Sequence, residues 1–263
     1  MVNGGNFERD GTEGGMSGSG GVGGSATGPA DRAAAREGGG AIGSARPEAL
    51  VFDMDGTLFR AETLMVPAYE RAFERLKREG LHEGETPPVA LLLGSLGMLL
   101  DDIWARVIPE ASVEAQRRIN ELLLEEQMTL LAEGVGEPYP GVPETLAALH
   151  AAGYRLFVAS NGLEAYVKGV AAHLGIADLF EGLYSAGEYR TKSKVDLVRL
   201  LLERHKVASA WMVGDRSSDV EAGRRNGLPV VGCDYAEFGV SADELEDADM
   251  RIRAFGDIAS LLA

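Results

Sequence analysis

Disulfide chemistry within the chain is excluded, because its 263 residues hold a single cysteine, Cys233. A lone thiol fits a reducing compartment and leads us to expect a cytoplasmic protein. Cys233 itself is read as a small residue near a strand end. Basic residues are scarce: 25 Lys and Arg stand against 41 Asp and Glu, for a net charge of −16. That balance argues against a nucleic-acid backbone as the main partner, since such proteins usually carry a basic patch. It leaves room for a local basic pocket that takes a small phosphorylated molecule. Long apolar runs are absent too. The nearest approach, Val89 to Leu100, is interrupted by Gly94, Ser95 and Gly97 and is too short to span a membrane. The first ten residues, Met1 to Asp10, have no apolar signal region. The four histidines, His82, His150, His173 and His205, are scattered and read as surface or structural residues rather than metal ligands. The sequence carries no signal for an oligomeric state.

What is present falls into three parts. Residues 1–47 form a tail, with 15 of the 35 glycines between Gly4 and Gly43. Such a segment buries too little apolar surface to offset its ordering entropy and is expected to be disordered. Residues 48–65 and 139–263 alternate short apolar runs with helical periodicity. The strands are expected at Leu50–Phe52, Tyr154–Ala159, Leu179–Tyr184, Ala210–Val213 and Pro229–Val231. Helices are expected from Pro143 to Ala152, Leu163 to Leu174, Lys194 to His205 and Asp219 to Asn226, with a closing one from Phe255 to Leu262. The acidic stretch Asp243 to Asp249 reads as a solvated surface segment. Between the two parts, residues 66–138 look all-helical. One helix is expected from Pro67, and a longer one from Ser112, a suitable cap, to Ala132, with Gly134 after its end. Strands alternating with helices predict an α/β fold: a Rossmann-like parallel sheet with helices on both faces, plus an inserted all-helical cap domain.

Ligands in such folds sit at the carboxyl ends of the strands. The first strand ends in Asp53-Met54-Asp55-Gly56-Thr57-Leu58. Residues i and i+2 of a strand share a face, so the two carboxylates start side by side. Their repulsion calls for a cation or a shared proton. Taken alone, a strand followed by an Asp-Gly turn explains the same residues. After the second strand come Ser160-Asn161-Gly162, which by themselves also suit a helix cap. After the strand at 210–213 come Gly214 and Asp215, with Asp219 four residues beyond. Thr191-Lys192-Ser193-Lys194 precede a helix, and a lysine there is disfavoured by the helix dipole unless it meets an anion. Convergence of all four at one sheet edge is the more demanding reading and the one we adopt. A calcium-binding loop is excluded: its glycine would be sixth and a glutamate twelfth, whereas Gly56 is fourth from Asp53 and Leu64 is twelfth. Gly94-Ser95-Leu96-Gly97 lacks the Gly-Lys-Ser/Thr of a nucleotide P-loop.

In order and spacing these motifs, over roughly residues 48 to 235, resemble the haloacid dehalogenase-like hydrolase superfamily. The helical insert resembles the cap of its phosphoglycolate phosphatase-like branch. The resemblance implies a magnesium-dependent phosphatase that hydrolyses a small-metabolite phosphomonoester through an aspartyl-phosphate. Asp53 would be the nucleophile and Asp55 the general acid and base. Asp53, the Asp55 backbone carbonyl and Asp215 would hold Mg2+. Ser160, Asn161, Gly162 and Thr57 would bind the substrate, joined by Lys194, which would offset developing charge. Asp219 and Gly214 would support them. Lys192 competes for the lysine role, and Lys194 is preferred because it opens the following helix. Ser218 stands where many relatives have asparagine. Asp55 separates this chain from the dehalogenases, which lack the second aspartate. The alternatives are a sugar-phosphate mutase of the same superfamily and a non-catalytic binding or regulatory module.

Overall fold

The sheet is built on Ala49–Phe52 (β1), whose four residues are all fully buried. A computed structural model describes residues 46–95, 98, 100–236 and 243–263. Residues 1–45, and with them nearly all of the expected tail, lie outside that set. Six parallel strands run in the order β5-β4-β1-β6-β7-β8. They are Gly182–Ser185 (β5), Arg155–Ser160 (β4), β1, Ala210–Gly214 (β6), Val230–Cys233 (β7) and Met250–Ile252 (β8). Strand β1 pairs with β4 on one side and β6 on the other, so that Phe52 lies beside both Val158 and Val213. The strand order reverses there, which opens a crevice above the ends of β1, β4 and β6.

Alternation along β1 sends Ala49 and Val51 to one face and Leu50 and Phe52 to the other. On the first face Val51, Phe157 and Met212 join a cluster with Val198 and Leu201 of one helix and Val220 of another. These helices are Lys194–His205 and Ser217–Arg225. On the other face Phe52 meets Phe180 and Phe255 at 6.3 and 5.7 Å between ring centres. Phe180 follows one 3-10 turn and Phe255 opens another, and both turns pack on the helix Val142–Ala151, so helical segments cover both faces, as the sequence rhythm predicts. The described chain belongs to one compact unit, Ala45–Ala263.

The helical block lies between β1 and β4. Its members are Ala61–Arg78 (α1), Val89–Leu93 (α2), Leu100–Val107 (α3) and Val113–Ala132 (α4). They are followed by Val142–Ala151 (α5), Glu164–His173 (α6), Ala186–Tyr189 (α7), Lys194–His205 (α8), Ser217–Arg225 (α9) and Ile258–Leu261 (α10). Helices α1 and α4 pack along their lengths, with Leu64, Phe73 and Leu76 of one and Ile119, Leu122 and Leu130 of the other buried. Arg75 bridges to Glu125 and Glu126 at 2.6 and 2.8 Å, and Arg118 to Glu79 at 2.7 Å. The exposed Arg75–Glu125 and Arg118–Glu79 pairs contribute about 0–1 kcal/mol each and only the Glu126 carboxylate is buried, so the buried apolar side chains hold the two helices together. The two-residue antiparallel strands Phe59–Arg60 (β2) and Glu137–Pro138 (β3) join where the block departs and returns.

Several expectations are corrected. Helix α1 starts at Ala61 rather than Pro67, with Pro67 inside it. The proline forfeits one backbone bond, but the burial of Ala61, Leu64 and Met65 outweighs that loss. The stretch Asp243–Asp249 is not simply solvated. Leu245 is buried, Glu244 accepts the Ser217 N–H at 2.7 Å, and Asp249 accepts the Val230 N–H at 2.8 Å. Strand β8 then follows, where no strand is expected from the sequence. The strand expected at Leu179 starts at Gly182, because Ala177–Leu179 is a 3-10 turn. The single closing helix is a 3-10 turn, Phe255–Asp257, followed by the short α10.

Candidate active site

Each polar group of the site comes from a strand end or a helix start. Asp53 follows β1, and its N–H still donates to Val213 O at 2.9 Å, which fixes its backbone. Its carboxylate is 2.8 Å from Lys194 Nζ. Lys194 opens α8, where Ser193 caps the helix by accepting the Asp196 N–H. The second anion on Lys194 is Asp219 Oδ1 at 2.6 Å. Asp219 sits in the first turn of α9, and its other oxygen accepts the Arg216 N–H at 3.0 Å. The unfavourable lysine at a helix start thus finds its anions in the protein itself. Lys192 is exposed, whereas Lys194 is buried.

Asp215 follows β6. Its Oδ1 accepts the Thr57 hydroxyl at 3.2 Å, and its Oδ2 has Arg216 Nε at 3.2 Å but accepts no hydrogen bond among the described residues. Thr57 is fully buried and outside the cavity described below, so its hydroxyl orients a carboxylate. Gly56 has φ +81°, and an added Cβ would lie 2.2 Å from Asp215 Oδ2. Only glycine leaves room for that carboxylate in that backbone conformation. Gly214 serves Asp219 in the same way, since a Cβ there would lie 2.2 Å from the Asp219 Cγ.

Ligand oxygens of Asp53, Asp215 and Asp219 lie within 4.8 Å of one another. Burial first, and the neighbouring Asp53 and Asp219 charges next, push the Asp215 carboxyl well above its ordinary range. Burial alone would discharge Lys194, but Asp219 and Asp53 outweigh it and hold the ammonium above its usual range. By formal charge, Asp53, Asp55, Asp215 and Asp219 outnumber Lys194 and Arg216 by two, an excess that the raised Asp55 and Asp215 carboxyls relieve by holding protons. A bound cation removes that excess. An all-oxygen donor set with an unsatisfied Asp215 oxygen suits a hard ion such as magnesium. None of the four histidines joins the cluster. His173 is 2.9 Å from Gly136 O, and His205 lies between Glu181 and Tyr184.

Asp55 turns elsewhere. Its Oδ1 accepts the Tyr166 hydroxyl. Burial pushes its carboxyl up to about 7, the Tyr166 hydrogen bond opposes that rise, and the Asp53 charge adds to it. The two aspartates of the first motif are thus separated by partner: Asp53 on Lys194, Asp55 on Tyr166. Ser160 ends β4, and its hydroxyl accepts the Gly162 N–H at 3.1 Å. Ser160, Asn161 and Gly162 line a cavity together with Asp53 and Asp55, and the helical block supplies its far wall. Lys194, Asp215 and Asp219 do not line it; they cluster around Asp53, which does.

All ten site residues are thereby gathered at one edge of the sheet, Thr57 through its hydrogen bond to Asp215. Sequence reasoning missed Tyr166 and Arg216. Arg216 was adjacent to Asp215 in the fourth motif, but nothing in its spacing assigns it a partner. Tyr166 sits in α6, six residues beyond Ser160, where it reads as one more apolar helical position.

Comparison with known proteins decides the family. The model of the haloacid dehalogenase-like hydrolases matches residues 47–227. The chain belongs to this family. A phosphoglycolate phosphatase of Aquifex aeolicus is 31% identical over 182 residues, covering 68% of this chain and 80% of that one. A 5'-nucleotidase of Pseudomonas aeruginosa is 29% identical over 215 residues, covering 81% and 92%. Among solved structures, that of a predicted phosphoglycolate phosphatase from Haemophilus somnus superposes with a TM-score of 0.71 at 22% identity, covering 84% of this chain and all of that one. This haloacid dehalogenase-like chain therefore shares both the fold and, in recognisable form, the sequence of known phosphatases.

Proposed function

We propose that the chain is a magnesium-dependent phosphomonoesterase, acting on a small phosphorylated metabolite through a phosphoryl group carried on Asp53. The observation that carries this reading is that Asp53, which lines a cavity together with Asp55, is in contact with Lys194. Asp53 lines the cavity and attacks phosphorus. Asp55 protonates the leaving oxygen and later takes a proton from the water that cleaves the acyl phosphate. A carboxyl held near neutrality by burial suits both tasks. Ser160, the backbone around Asn161 and Gly162, and Lys194 receive the phosphoryl oxygens. Asp53, Asp215 and the Asp55 carbonyl, supported by Asp219, would hold magnesium, which screens the approach of a carboxylate to a phosphate. The helical block, residues 66–138 with the first turn of α1, acts as a cap that shields the reaction from water.

The relatives' names support phosphate-ester chemistry, and the retained acidic and basic groups argue against a binding module. The test is release of inorganic phosphate from a panel of small phosphomonoesters with magnesium. Turnover of at least one, abolished by chelation, is the expected result. No release from any ester would refute the assignment.

A further inference from the structure

The cavity above Asp53 differs in character from the centre below it. Its far wall is made by Leu92 of α2, Ile103 and Trp104 of α3, and Leu123 of α4, with the amides of Asn120 and Gln127 among them. No Lys, Arg or His lines it among the described residues. The sequence from Val89 to Ile103 contains no basic residue either. Arg106 donates to Gly94 O and is exposed. The cations of the centre are committed lower down, Lys194 between Asp53 and Asp219 and Arg216 beside Asp215.

We propose that the alcohol released by this site is uncharged, with an apolar face and a hydroxyl or amide edge, and that the pocket discriminates against a leaving group that bears a carboxylate. This rests on the phosphatase reading above. A carboxylate lying against the far wall meets no cationic side chain in the lining, so its desolvation there is uncompensated. A neutral group is matched on both counts. Its apolar face lies on Leu92, Ile103, Trp104 and Leu123. Its polar edge meets two half-used amides. Asn120 Oδ1 accepts from Trp104 Nε1 at 3.3 Å, and Gln127 Nε2 contacts Met65 Sδ at 2.8 Å. Asn120 Nδ2 and Gln127 Oε1 have no further partner among the described residues. An amide NH2 and an amide carbonyl oxygen remain, the complement of a hydroxyl or a primary amide.

The experiment compares an isosteric pair on the full-length protein with magnesium: 2-phosphoglycolate and its neutral amide, 2-phosphoglycolamide. p-Nitrophenyl phosphate serves as the general phosphomonoester. The proposal expects kcat/KM for the amide to exceed that for the carboxylate by about tenfold or more. Equal values, or a preference for the carboxylate, would overturn it while leaving the phosphatase reading intact. Release from none of the three would overturn both. A second arm uses Asn120→Lys, which sets an ammonium in the wall. The ratio of carboxylate to amide kcat/KM should rise about tenfold, and a ratio that does not move would overturn the proposal. Gln127→Glu supplies the converse arm. It should lower that ratio, and a raised or unchanged ratio counts against the neutral pocket.

Discussion

At the scale of single residues, the site depends on which partner each carboxylate has. Asp53 and Asp55 are two positions apart, yet one rests on an ammonium and the other on a phenol. Tyr166→Phe removes the hydroxyl from Asp55 while keeping the ring in α6. A hydrogen bond to a charged group contributes about 1.5–3 kcal/mol, so kcat should fall roughly ten- to hundredfold. Steady-state kinetics with circular dichroism as a fold control would check this, and the loss should lie in kcat rather than KM. Gly56→Ala places a methyl on Asp215 in a left-handed backbone and should cost on the order of 1–3 kcal/mol in urea denaturation. The acidic residues, Lys194 and Gly56 were legible because each stands at a strand or helix boundary, where chain order alone assigns a place. Tyr166 was not, since a tyrosine on the apolar side of a helix reads as core until its hydroxyl is seen on Asp55. Thr57 was assigned to the substrate from its motif, but its hydroxyl turns inward to Asp215.

At the scale of elements, legibility followed length and periodicity. Helices α4 and α8 are long, capped by Ser112 and Ser193, and end where the sequence ends them. Ser112→Ala should destabilise the chain by about 1 kcal/mol, read from the urea midpoint. Strands β2, β3 and β8 are two or three residues long and carry no alternation to read. Pro67 concealed the first turn of α1, because its cost is local while the burial that offsets it is tertiary. The edge of the sheet adds a pH prediction. Arg155 donates to both Glu181 oxygens at 2.6 Å, and His205 sits 3.0 Å from one of them. The Arg155 hydrogen bonds hold Glu181 down from 4.5 to about 2, against a smaller opposing effect of burial. Its folded value is depressed, so its contribution is complete above about pH 4.5 and is lost as pH falls toward 2. Glu181→Gln should therefore flatten the stability profile across that window, measured by denaturation at stepped pH. A profile identical to that of the unsubstituted protein would refute the assignment.

At the scale of the whole molecule, a strongly acidic chain concentrates buried carboxylates at one sheet edge and, among the described residues, sets Lys194 and Arg216 against them. The fold was legible because β1, β4 and β6 meet at the strand-order reversal, and their motifs share that edge. The cavity wall was not, since Val89 to Leu100 reads equally as packing. The charge excess predicts linkage between folding and metal. Magnesium at 100 times its dissociation constant should stabilise the protein by about 2.7 kcal/mol and raise its melting temperature. Asp215→Asn should raise the melting temperature of the metal-free protein and abolish the response to magnesium. All of this serves one claim, that Asp53 carries the phosphoryl group. The most direct test is rapid quenching of turnover on a phosphomonoester with a labelled phosphoryl group, followed by peptide mapping. The account predicts a hydroxylamine-sensitive label on Asp53, approaching one per chain when dephosphorylation is slowed, and neither label nor turnover in Asp53→Asn. Turnover by Asp53→Asn, or a label on another residue, would contradict it.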